Sequence, residues 1–166
     1  MTTAKRLSTL EFRAEKIGFS AGHFTVYTAT SRERLHGHNY RLIVKLTSIV
    51  DDNGITFDYA LYNKKLLALC GQLDTYFLLP TKSPHLRIEE SQDHYYAYFH
   101  DEKIPFLKKD VKLLPIVNTT LEELSQWFLD NLIADKKELD HFQIQKLVVK
   151  IYNGPAQAGQ AKWCRE

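Results

Sequence analysis

Hydrophobic and polar residues alternate over much of the first third of the chain. Leu10, Phe12 and Ala14 fall on one face of an extended segment starting at Thr9, with Glu11, Arg13 and Glu15 on the other, the period-two pattern of a half-buried strand. A polar stretch over 27–34 follows. Tyr40, Leu42, Val44 and Leu46 then alternate with Arg41, Ile43 and Lys45, which predicts a second strand. Asp52-Asn53-Gly54 is a turn signal. Beyond it the period changes: Tyr62, Leu66, Leu69 and Leu73 recur at helical spacing behind Asp58, the expected N-cap. Pro80 and Pro84 bound a loop, and Leu86–Glu90 and His94–Phe99 read as an edge hairpin around Ser91-Gln92-Asp93. A second helix is expected near Asn118-Thr119-Thr120, where Thr119 and Glu122 have capping-box spacing and Leu121, Leu124, Phe128 and Leu132 form the apolar stripe. The closing run, Phe142–Tyr152, is β-rich, and its phase changes between Ile144 and Leu147, which calls for a bulge or a late strand start.

The order β-β-α-ββ-α-β, with mostly antiparallel connections, predicts an α+β fold rather than a doubly wound sheet. One sheet face would carry both helices, leaving a partly apolar face for another subunit to cover. The 166 residues suit one domain over 1–166. Cys70 and Cys164 lie far apart and match no CxxC spacing, which argues against a disulfide framework and a thiolate zinc site. No apolar run approaches the ~18 residues of a membrane span, and residues 1–6 lack the hydrophobic segment of a secretory signal. A formal charge of +2 is too small to argue for nucleic acid. The expectation is a soluble, cytoplasmic protein. Seven histidines are the one reactive residue type in quantity.

His36-Gly37-His38 opens into the second strand, and residues i and i+2 of a strand share a face. Two imidazoles placed so can converge on one ion, with Gly37 leaving space between them. They can equally cap a loop as polar strand-end residues. His23 ends the first strand and could supply a third nitrogen; three neutral imidazoles with one open position are a catalytic zinc ligand set. His85, His94, His100 and His141 lie in polar, loop-like contexts and are expected to be solvated.

Phe19-Ser20-Ala21-Gly22-His23 followed by Leu35-His36-Gly37-His38-Asn39-Tyr40 resembles the 6-pyruvoyltetrahydropterin synthase and 6-carboxytetrahydropterin synthase family. The resemblance continues through Phe57-Asp58, Gln72-Leu73-Asp74 and Asn118-Thr119-Thr120-Leu121-Glu122, covering about residues 10–155. The segment from Leu78-Leu79-Pro80-Thr81 to Leu113-Leu114-Pro115 is similar to a bacterial branch with an extra hairpin. The resemblance implies a tunnelling fold, a four-stranded antiparallel sheet backed by two helices, with two stacked trimers forming a homohexamer and the pocket between subunits. It implies Zn2+ on His23, His36 and His38, and a pterin substrate, 7,8-dihydroneopterin triphosphate. Thr120 and Glu122 are candidate pterin contacts, although Glu122 also suits the capping box.

Three positions depart from the family pattern. Arg32 stands where the family has a cysteine, four residues before His36, and a guanidinium cannot act as a base. One residue on, Glu33 gives Glu-x-x-His-Gly-His, which resembles a variant in which glutamate replaces the cysteine and the side chain is cleaved to 6-hydroxymethyldihydropterin. A carboxylate in a dry site beside a metal can be tuned into a general base, while a charged run such as Ser31-Arg32-Glu33-Arg34 is commonly a solvated loop. Thr75 replaces the histidine of an Asp-His pair, so Asp74 either polarises a water or caps the helix end; Asp140-His141 is a decoy unless folding brings it close. Asn153 stands where a glutamate holds the pterin ring, and keeps one carbonyl acceptor without the charge. Two readings follow: a lyase with Glu33 and Asp74 as catalytic groups, or a zinc- and pterin-binding module without turnover. A third, a plain structural barrel subunit, predicts no metal. Whether a folate, deazapurine or tetrahydropterin pathway is served stays open.

Overall fold

The computed structural model describes residues 6–13 and 16–166; Ala14 and Glu15, read above as part of the first strand, lie outside the described residues. The elements run β1 (Leu7–Phe12), β2 (Gly18–His23), β3 (His36–Ile49), α1 (Tyr59–Gly71), β4 (Phe77–Pro80), β5 (Arg87–Glu90), β6 (His94–Phe99), β7 (Glu102–Leu107), β8 (Val111–Leu114), α2 (Leu121–Ile133), α3 (Lys136–His141), β9 (Ile144–Tyr152) and β10 (Ala158–Cys164). The α+β expectation holds.

β3 is the spine. Its C-terminal half pairs antiparallel with β1 and its N-terminal half with β2, both along one edge, while β9 pairs antiparallel along the other. What the alternation suggested as one first strand is therefore two segments in sequence along β3. β10 extends the sheet beyond β9, and the short β4 and β8 extend it beyond β2 in parallel, giving seven strands in all. The predicted edge hairpin is a separate three-stranded antiparallel sheet, β5-β6-β7. The phase change in β9 is a bulge: Thr47 faces Lys146 while Ser48 faces Ile144, leaving Gln145 as the extra residue.

Tyr40, Leu42, Val44 and Leu46 of β3 bury one sheet face together with Leu147, Val149 and Ile151 of β9. Tyr62, Leu66 and Leu69 of α1, Leu124, Phe128 and Leu132 of α2, and Leu139 of α3 close over them. Asp58 caps α1 as expected, accepting from Ala60 N–H at 2.9 Å. α2 begins one residue later than its spacing suggested. Thr120, not Thr119, is its N-cap, Thr120 Oγ1 accepts from Glu123 N–H, and Glu123 reaches back to Val117 N–H at 3.1 Å, so Glu122 takes no part in capping. A second apolar cluster (Phe24, Val26, Leu79, Leu86, Ala97, Phe99 and Val111) lies under the three-stranded sheet. The opposite face of the large sheet alternates Arg41, Ile43 and Lys45 of β3 with Val148, Lys150 and Tyr152 of β9, a partly apolar face interspersed with cationic residues. Among the described residues no helix is long and apolar enough to cross a membrane.

β10 passes the first turn of α2 so closely that a Cβ on Gly159 would overlap the Leu121 carbonyl and come within 2.8 Å of Glu122 N. Gly159→Val should therefore lower the unfolding free energy by about 1–3 kcal/mol, measured by urea denaturation. Burial, with Asp74 nearby, pushes the Cys70 thiol up to about 12, whereas Cys164 is exposed. Iodoacetamide at pH 8 should label Cys164 alone in the native protein, and both thiols once it is unfolded, since only the thiolate reacts.

Candidate metal centre and active site

The β2–β3 hairpin sets His23 directly opposite His36, with His38 two residues further along β3 on the same face. Both histidines of the His-Gly-His motif lie inside the strand, which starts earlier than its alternation indicated. The ring centroids are 4.5 Å apart for His23 and His36, 5.1 Å for His23 and His38, and 4.8 Å for His36 and His38. One ring nitrogen from each lies within 4.8 Å of the others. Gly37 serves the backbone rather than the space between imidazoles: a Cβ there would press on Ala21 O at 3.1 Å.

Hydrogen bonds outside the cluster fix the tautomers. His23 Nδ1–H donates to Thr119 O at 3.0 Å, and the Thr119 hydroxyl donates to Phe24 O at 2.8 Å. His36 Nδ1–H donates to Arg34 O at 2.8 Å. Both of these rings thus turn Nε2 inward. His23 Nε2 is buried with no partner, and His36 Nε2 lies 3.0 Å from His38 Nε2. Burial, then the neighbouring His36 and His38, lowers His23 to about 4, and burial followed by His36 lowers His38 too. Unpaired imidazole lone pairs aimed at one point fit a cation. A tetrahedral ion with bonds of ~2.0–2.1 Å separates its nitrogens by ~3.3 Å, close to the 3.0 Å between the Nε2 atoms of His36 and His38. Backbone carbonyls orienting ring N–H groups are the usual outer support of such a centre.

Glu33 follows a tight loop. Val26 and Arg32 form an isolated antiparallel bridge, Tyr27 N–H donates to Ser31 O, and Glu33 N–H donates to Thr25 O at 2.8 Å. The Glu33 carboxylate accepts from Thr25 N–H at 2.9 Å and from the Tyr27 hydroxyl at 3.0 Å. Burial alone would raise its pKa; the bonds from Thr25 and Tyr27, with His36 nearby, outweigh that and hold it below the usual carboxylate range. Glu33 in turn favours the protonated forms of His23 and His38. The loop is no free solvated run.

The other expected site residues are spread out. The Asp74 carboxylate accepts from Ser20 N–H at 2.8 Å, and Thr75 follows with a left-handed φ of 67°. Thr120 caps α2 beside Thr119, and Glu122 is exposed on its first turn. Asn153 lines a cavity of about 770 Å³ together with His38, Arg13, Arg41 and Tyr152. His141 ends α3, and Asp140 pairs with Arg165, in a different part of the fold. Sequence reasoning missed three supports: the Thr119 carbonyl, Tyr27, and Asn118, whose side chain accepts from Val26 N–H at 3.1 Å and donates to Val26 O at 2.8 Å. Only the polar Asn-Thr-Thr run hinted at them.

A sheet packed against helices on one face, with three histidines converging at the end of an interstrand hairpin, defines a protein of the tunnelling-fold class with a candidate metal centre. The family pattern described as 6-pyruvoyl tetrahydropterin synthase matches residues 14–161, and the chain belongs to that family. A candidate 6-carboxy-5,6,7,8-tetrahydropterin synthase of Methanocaldococcus jannaschii is 29% identical over 140 residues, 84% of this chain and 85% of that protein. The solved 6-pyruvoyl tetrahydropterin synthase of Plasmodium vivax superposes with a TM-score of 0.91 at 27% identity, covering 96% of this chain and 99% of its own. A variant of the Plasmodium vivax protein, in which a glutamate described as a catalytic residue is replaced by alanine, superposes equally well, with a TM-score of 0.91 at 26% identity.

Asn118→Ala removes both bonds to Val26 and should cost about 1–3 kcal/mol, read from thermal or urea unfolding. The far-ultraviolet circular dichroism should stay unchanged because α2 keeps its own cap.

Proposed function

We propose that this protein is a zinc-dependent pterin synthase-like lyase that cleaves the side chain of 7,8-dihydroneopterin triphosphate. The observation that carries the reading is Glu33, a carboxylate kept ionised and fixed by two hydrogen bonds beside three inward-facing imidazoles. Family membership and the catalytic glutamate of the Plasmodium vivax relative support it.

His23, His36 and His38 would hold Zn2+, which would supply Lewis acidity toward the side-chain hydroxyls. Glu33 takes the proton of the hydroxyl on the second side-chain carbon. The bond between the first and second side-chain carbons breaks, and its electron pair passes into the imine of the dihydropterin ring. The carboxyl then returns the proton to the first carbon, leaving a 6-hydroxymethyl group and releasing an aldehyde that carries the triphosphate. Thr120, Glu122 and Asn153 are assigned to the pterin. Asn153 supplies an uncharged acceptor and donor, so its own bonds to the ring are neutral ones, roughly half as strong as charge-assisted bonds. Asp74 and Thr75 sit at the β2 edge, where Ser20, Gly22, His38 and Asn39 line a shallow hollow with Thr75. We assign Asp74 to a site completed by a neighbouring chain in a homohexamer of two trimers working in the cytoplasm.

The purified protein should hold about one zinc per chain by elemental analysis, and His36→Ala should lose most of it; equal zinc in both would end the metal assignment. Incubated with dihydroneopterin triphosphate, the zinc-loaded protein should release 6-hydroxymethyldihydropterin, identified by mass. Glu33→Gln should lower kcat by about 10²–10⁴-fold, the range for a lost general base. Bound but unconverted substrate in the wild type would make the protein a binding module instead.

A further inference from the structure

Arg32 occupies the position where the family pattern has its cysteine, and its side chain is only 15% exposed. Its guanidinium lies 5.2 Å from the Phe24 ring centroid and 5.9 Å from that of Phe99, between the two sides of the second apolar cluster. All three guanidinium nitrogens are used. Nε and Nη2 meet Glu102 Oε2, each at 2.6 Å, and Nη1 donates to Glu33 O at 2.7 Å. Glu102 begins β7, directly across from Phe99 of β6. The contact therefore joins the loop carrying Glu33 to the separate three-stranded sheet.

This clamp completes the fixing of Glu33. Its N–H is held by Thr25 O, its carbonyl by Arg32, and its carboxylate by Thr25 N–H and the Tyr27 hydroxyl. We propose that Arg32, anchored by Glu102, is a positioning residue that makes the β5-β6-β7 sheet a brace for the Glu33 carboxylate beside the three imidazoles. Arginine suits the task because its planar fork reaches the Glu102 carboxylate and a backbone carbonyl in fixed directions while its face packs on aromatic rings; one ammonium group cannot match that geometry. The residue that displaces the cysteine thus supports the carboxylate that replaces it. The proposal rests on Glu33 acting as the base.

The test uses the full-length, zinc-loaded protein and the variants Arg32→Met, Arg32→Lys, Glu102→Gln and Glu33→Gln. A misplacement of about 1 Å can cost ~100-fold in rate, so Arg32→Met should lower kcat by roughly that factor and Glu102→Gln by about ten-fold. KM and the zinc content should stay near wild type, and Arg32→Lys should fail to restore the rate. In the Glu33→Gln background, Arg32→Met should have no further effect on the residual rate. Independently of activity, hydrogen exchange at the Glu33 amide should quicken in Arg32→Met and Glu102→Gln, while the amides of β3 keep their protection. Additive losses in the double variant, or wild-type kcat in Glu102→Gln, would overturn the positioning role while leaving Glu33 as the base. If Glu33→Gln itself retained full activity, the functional reading would fall first. Should Arg32→Met not fold, Glu102→Gln decides alone, because Glu102 is 46% exposed and its loss leaves the apolar cluster intact.

Discussion

Three imidazoles turned toward one another set the terms for the rest of the site. The Nε2 atoms of His36 and His38 lie 3.0 Å apart, close enough to share a hydrogen or to bind one cation, and the buried Nε2 of His23 has no partner. Protonation is made costly by burial at His23 and by the proximity of the other rings. The arrangement suits a cation, and the fold must hold the rings in place for it. It does so from outside. Thr119 fixes His23, Arg34 fixes His36, and the antiparallel register of β2 on β3 sets the spacing. Thr119 immediately precedes the Thr120 cap of α2, and β10 packs closely on the first turn of that helix at Gly159.

The alternation of Tyr40, Leu42, Val44 and Leu46 gave away β3, and with it the core face, because large apolar residues on a half-buried strand leave a clear period. The same signal fails where the buried residues are small. β10 hides Gly159 and Ala161, neither of which registers as a hydrophobic beat, and it went unpredicted. β4 and β8 have four residues each, too few for any period, and β7 carries Pro105, which reads against a strand although an edge position accommodates it. The capping error at Thr119 has a similar origin. Two adjacent threonines offer the same spacing motif one residue apart, and the choice is made by tertiary contact: Thr119 is drawn inward to Phe24 O and His23.

At the site, the histidines were legible because their chemistry and spacing are local. Their supports were not, since a backbone carbonyl leaves no mark in sequence. Glu33 shows the limit from the other side. A charged run such as Ser31-Arg32-Glu33-Arg34 reads as a solvated loop, yet each of its two central residues has its polar groups engaged, one by Glu102, the other by Thr25 and Tyr27. Nothing in the spacing of Arg32 and Glu102 connects them. Only the packing of the three-stranded sheet against Phe24 and Val26 brings them together.

The departures at Arg32 and Asn153 become less arbitrary when charge is followed through the site. The cavity beside His38 is lined by Arg13, Arg41 and Asn153 and, among the described residues, by no carboxylate. Glu11 pairs with Lys45 at 3.0 Å and with Arg13 at 3.4 Å, leaving Arg41 and Lys150 as the excess positive charge on this sheet face. Such a field supports an anionic ligand more readily than a cationic one, as the substrate proposed above would need. The Glu33 carboxylate is held by a backbone amide and a phenol rather than by a cation. Arg32 lies one residue away, but its guanidinium is engaged by Glu102 and the Glu33 carbonyl, so what holds the carboxylate ionised is the pair of bonds from Thr25 and Tyr27, with His36 nearby.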